Sequence, residues 1–71
     1  LFTIQVASFK REKDAQKEAD RLKGIGHNDA FVLPKGDYII VCVGKFMQMG
    51  DAKKFSGKLK KQYNDCLVRR L

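Results

Sequence analysis

Ser8, Cys42 and His27 are among the nucleophile and base types that could do chemistry in this 71-residue chain, and Glu12, Asp14, Glu18 and Asp20 are its densest acids. Nucleophilic catalysis needs an activated Ser or Cys beside a base that a third group orients. Ser8, Cys42 and His27 fall in three separate stretches of sequence. The four acids stand among lysines, where solvated i,i+4 pairs explain them. A zinc site needs clustered Cys and His, and this chain has one His, in a Gly-rich turn, with no paired Cys spacing. No phosphate loop is present. The expectation is a protein that is not an enzyme and holds no metal and no cofactor.

Binding chemistry is what remains, and it depends on which elements carry it. Leu1 to Ser8 alternates Phe2, Ile4 and Val6 with Thr3, Gln5 and Ala7, the period of a half-buried strand. Lys10 to Lys23 switches to helical spacing through Ala15, Ala19 and Leu22. Ala30 to Leu33 is extended, and Tyr38 to Val43 is a strand with two apolar faces. Helical spacing returns from Asp51 to about Tyr63 through Ala52, Phe55 and Leu59, and Cys66 to Val68 closes the chain as a short strand. Gly24, Gly26, Pro34-Lys35-Gly36-Asp37, Gly44 and Gly50 punctuate the breaks.

Shifting the chain by 37 residues lays Val6-Ala7-Ser8-Phe9 on Val43-Gly44-Lys45-Phe46, Asp14-Ala15 on Asp51-Ala52, and Leu22-Lys23 on Leu59-Lys60. Two strand-helix-strand halves therefore share one sheet, with both helices on one side. Right-handed crossovers put the first and third strands in the middle. The expected fold is α+β, a ferredoxin-like βαββαβ sandwich of a four-stranded antiparallel sheet and two helices, as a single domain over residues 1–71. Phe2, Ile4, Val6, Ile39, Val41 and Val43 are expected to face the helices. The other sheet face then stays uncovered and presents Thr3, Gln5, Ala7, Tyr38, Ile40 and Cys42. Exposed apolar groups on such a face mark a binding surface.

Charge narrows the partner. The chain has 15 Lys+Arg against 8 Asp+Glu, a net +7 that favours anionic or polyhydroxylated ligands. Leu1 to Gly44 carries 7 cations and 6 anions, and Lys45 to Leu71 carries 8 and 2. Its longest apolar run, Tyr38 to Gly44, is far below the roughly 20 residues of a membrane span. The chain starts at Leu1 and enters a strand at once, which suggests a domain cut from a longer protein, with any signal or membrane anchor outside this segment.

Ile4-Gln5-Val6-Ala7-Ser8-Phe9, Asp14-Ala15, Leu22, Tyr38 through Phe46, Asp51-Ala52 and Leu59-Lys60, in this order and spacing, resemble the sporulation-related repeat (SPOR) domain along the whole chain. The resemblance implies a bacterial envelope domain that binds peptidoglycan, in particular glycan strands stripped of their stem peptides by amidases at division septa. Family members hold that ligand across the uncovered sheet face. Gln5 and Ser8 match the family's glutamine and serine, which bond sugar hydroxyls and N-acetyl groups. Thr3, Tyr38, Ile40 and Cys42 complete the expected glycan-binding set, with Tyr38 or Ile40 as a platform under the sugar rings. Where the family often has arginines this chain has Ile40 and Cys42, and Lys45 replaces the family's proline.

Two other readings share the fold. The element order also underlies RNA-recognition domains, and Lys35 to Val41 faintly echoes their signature. Asp37 and Ile39 stand where that signature wants aromatics, so nucleic acid is not the expected partner. The remaining alternative is an assembly module that pairs with protein through its sheet face or an edge. Phe9 and Phe46 are expected as core caps. Cys42 and Cys66 lie on strands two apart, about 9.6 Å, beyond the roughly 7 Å reach of a disulfide, so two thiols are expected.

Overall fold

A computed structural model describes residues 1–61, 63 and 66–71. The elements are β1 (Phe2–Phe9), α1 (Glu12–Gly24), β2 (Ala30–Lys35), β3 (Tyr38–Phe46), α2 (Met49–Leu59) and β4 (Leu67–Arg70). They form one antiparallel sheet in the order β2-β3-β1-β4, with two helices, a ferredoxin-like α+β fold. The first and third strands are central, as the repeat and crossover handedness require. The helix expected to reach Tyr63 ends at Leu59, and Gln62, within that expectation, lies outside the described residues. The last strand starts at Leu67 and runs on to Arg70, beyond the expected Val68.

The core lies between the sheet and the helices. Ile4, Val6, Val41 and Val43 meet Ala15, Ala19 and Leu22 of α1 and Leu59 of α2, all buried. Alanines at two of the three inward positions of α1 let its backbone approach the sheet, so Leu22 fills the gap; burying such a side chain contributes about 1.5–3 kcal/mol. Phe9, Ile39, Phe46 and Phe55 close the margins. The Phe46 and Phe55 rings sit 5.7 Å apart, and His27 meets the Phe55 ring edge-on at 6.3 Å. Phe2 lies half-buried at the strand start with the Arg70 guanidinium 5.8 Å above its ring.

Strict alternation fails once in each central strand. Gln5 pairs with Cys42 but Ala7 with Val41, so Val6 is an extra residue in β1. Ile4 pairs with Val43 but Phe2 with Phe46, so β3 sets Gly44 and Lys45 against Thr3 alone. Gly44, at φ +77, takes the left-handed conformation that such a bulge needs. The expectation that Ala7 faces the uncovered side is therefore corrected: behind the bulge it packs against the core, and Ser8 turns to the open side opposite Ile40. The bulges occupy nearly equivalent places in the repeat, so Ser8 and Lys45 turn outward as a pair while Phe9 and Phe46 turn inward.

A three-residue cluster ties α1 to the segment after α2. Arg21 donates through Nε to Glu18 Oε1 at 3.0 Å and through Nη2 to Glu18 Oε2 at 2.6 Å. Tyr63 Oη donates to Glu18 Oε2 at 2.7 Å and accepts from Arg21 Nη2. Glu18 is thus held by a guanidinium three residues on and by a phenol, rather than by a solvated i,i+4 lysine. The Arg21 hydrogen bonds hold its carboxyl below the usual value, against partial burial. Burial, followed by the bond to Glu18, pushes Tyr63 up to about 12.

Candidate functional site

The sheet face away from the helices is open, and among the described residues no enclosed cavity forms on it. Register decides its members. Phe31 is opposite Cys42, Leu33 opposite Ile40 and Lys35 opposite Tyr38 on β2 and β3. Gln5 is opposite Cys42 and Ser8 opposite Ile40 on β1 and β3. Thr3 is opposite Arg69 and Gln5 opposite Leu67 on β1 and β4. The outcome is a shallow surface of amide, hydroxyl, aromatic and cationic groups running across all four strands.

These side chains stand at two depths. Thr3 and Cys42 are 0% exposed and Ile40 is 2% exposed, so they form the floor of the face. Thr3 Oγ1 donates to the Gly44 carbonyl at 2.6 Å, which anchors the β3 bulge to β1. Burial pushes the Cys42 thiol up, opposed by a hydrogen bond with Thr3 and by the Arg69 guanidinium. Gln5, Ser8 and Tyr38 form the upper layer, with Tyr38 46% exposed beside the two-residue Gly36-Asp37 turn. Gln5 Oε1 accepts from Arg69 Nε, which fixes the amide and leaves its NH2 group to donate outward.

Several members of this face, Lys35 and Leu67 among them, were not legible from alternation. Phe31 and Leu33 belong to β2, whose faces only the register reveals. Lys45 reaches the face through the bulge, and its ammonium lies 5.3 Å over the Phe31 ring. The repeat carried a signal for it, because Lys45 is the equivalent of Ser8. Arg69 lies beyond the expected end of the last strand.

Both cysteines are buried, and no disulfide joins Cys42 to Cys66. Among the described residues no three metal-ligating side chains gather, and no helix is long and apolar enough to cross a membrane.

A SPOR domain profile matches residues 1–70, essentially the whole chain. The chain belongs to the SPOR domain family. SPOR domains are noncatalytic peptidoglycan-binding modules of bacterial envelope and cell-division proteins. Comparison with curated proteins and with solved structures gave no match. In this SPOR domain the central strand β3 carries Ile40 and Cys42 as part of a buried floor, and the positive charge of the open face comes from Lys35 on β2, Lys45 on β3 and Arg69 on β4.

Proposed function

We propose that this SPOR domain binds glycan strands stripped of stem peptides across its open sheet face, and so brings a larger envelope protein to the cell wall at sites of amidase action such as the division septum. The reading rests on one observation: the family match spans a sheet that has helices on one side only. Sugar recognition combines hydrogen bonds with flat apolar platforms, and the exposed layer supplies both. The Gln5 amide donates to N-acetyl carbonyls and sugar hydroxyls, Ser8 donates and accepts, and Tyr38 and Phe31 offer rings for the pyranose faces. Thr3, Ile40 and Cys42 contribute by holding that layer in place from beneath.

Retention on purified peptidoglycan sacculi tests the reading. Amidase-treated sacculi should retain more domain than untreated ones, and Gln5→Ala should lower that retention about tenfold, the order expected from losing one or two well-placed hydrogen bonds. Equal retention with and without amidase, or salt-sensitive binding to single-stranded RNA in its place, would overturn it.

A further inference from the structure

Lys45 and Arg69 occupy one row across the sheet. The β3 bulge sets Gly44 and Lys45 against Thr3, and Thr3 is opposite Arg69 on β4. Their backbones thus flank Thr3 from strands two apart, a lateral separation of about 9.6 Å, and the Lys45 ammonium reaches away from Arg69 toward Phe31 on β2. Lys45 is exposed, its ammonium resting over Phe31. Arg69 is half-buried and oriented by Gln5 through Nε, which leaves both Nη groups to donate. Neither makes an ion pair: the one ion pair among the described residues joins Arg21 to Glu18 on the far side of the molecule. Asp29 stands at the rim near Gly44 without pairing Lys45.

Sugars alone give two unpaired cations little to bind. Amide hydrolysis changes that: water cleaves the bond between the lactyl carbonyl of the sugar and the first peptide amine, leaving a carboxylate on the glycan and the amine on the departing peptide. Each disaccharide of a stripped strand then carries one anion where an unstripped strand carries a neutral amide and a bulky peptide. A stripped strand laid across β3, β1 and β4 therefore carries its carboxylates past both cations.

We infer that Lys45 and Arg69 are specificity residues that recognise the lactyl carboxylates freed when the stem peptides are removed. The inference rests on the glycan reading of the sheet face and supplies its selectivity: the domain detects the charge that hydrolysis creates, as well as the space the peptide vacates. Charge-assisted bonds to carboxylate suit both residues, Arg69 as a fork and Lys45 as a mobile point charge.

The test is calorimetric titration of the domain with soluble glycan oligosaccharides from amidase-treated wall, beside the same oligosaccharides with their carboxylates converted to methylamides. The native domain should bind the carboxylate form about tenfold more tightly, the order expected for two charge-assisted contacts at a solvated surface, with the preference shrinking as salt rises. Lys45→Gln, which leaves the Gln5–Arg69 bond intact, should reduce the preference about threefold, and adding Arg69→Gln should abolish it. Equal affinity of the native domain for both forms, or an undiminished preference in Lys45→Gln, would overturn the inference while leaving the glycan reading standing. Binding of neither form would overturn both.

Discussion

Replacing Gly44 by Ala tests the bulge that turns Lys45 to the open face and Phe46 into the core. At φ +77 an L side chain carries a conformational cost of about 1–2 kcal/mol. A Cβ on Gly44 would also stand 2.8 Å from Phe46 Cε2, 2.9 Å from Phe46 Cζ and 3.2 Å from Asp29 Oδ2. The Phe46 ring packs on the core and lies 5.7 Å from the Phe55 ring, so it yields only by disturbing both, an overpacking cost of about 1–3 kcal/mol. The sum, about 2–5 kcal/mol, is a large part of the few kcal/mol expected to hold a domain of this size together. Urea unfolding followed by circular dichroism gives the loss directly. A thermal scan should show Tm lower by at least 8 °C, because about 1 kcal/mol shifts a domain of this size by about 4–8 °C. A loss below about 0.5 kcal/mol would refute the reasoning, since it would mean that the bulge adopts another conformation at no cost.

Gly57 provides the opposite case, since it lies within α2, is exposed, and its Cβ position meets nothing within 4 Å. Gly57→Ala should raise stability by about 0.5–1 kcal/mol in the same urea assay. Cys42 is sealed beneath the face with its thiol pushed up by burial, so in a Cys66→Ala background a thiol reagent should label it slowly in buffer and rapidly in urea. The Glu18–Arg21–Tyr63 cluster predicts two flanks in stability against pH. Glu18 titrates lower when folded, so its contribution is complete above the ordinary carboxyl value of 4.5 and is lost as pH falls through the folded value. Tyr63 titrates higher when folded, so its contribution is complete below 10.0 and fades as pH rises through about 12. Tyr63→Phe should cost about 0.5–1.5 kcal/mol and flatten the alkaline flank, read from urea midpoints across the pH range.

Most of the fold was legible because two patterns agreed. The alternation of Phe2, Ile4 and Val6 and the 37-residue repeat both require a shared sheet, and crossover handedness then leaves the observed strand order. The bulges were harder to see, because a period of two assumes that no residue is inserted, and Val6 and Gly44 break it in one strand each. The misplacement of Ala7 and the omission of Lys45 from the open face follow from that assumption. Depth was equally hidden: Ile40 and Cys42 lie on the uncovered face, opposite Leu33 and Phe31, yet both are buried, which no alternation pattern shows. Gln5 was legible as a polar residue on that face, but its fixing by Arg69 depends on four residues of β4 that periodicity is too short to define.

The central claim is that the open sheet face holds the glycan, and mapping backbone amide shifts by NMR during titration with stripped glycan oligosaccharides tests it most directly. The account predicts that the perturbed amides cluster at Gln5, Ser8, Phe31, Tyr38, Lys45 and Arg69 while α1 and α2 stay unmoved. Perturbations concentrated on the helices, or none at saturating glycan, would contradict it.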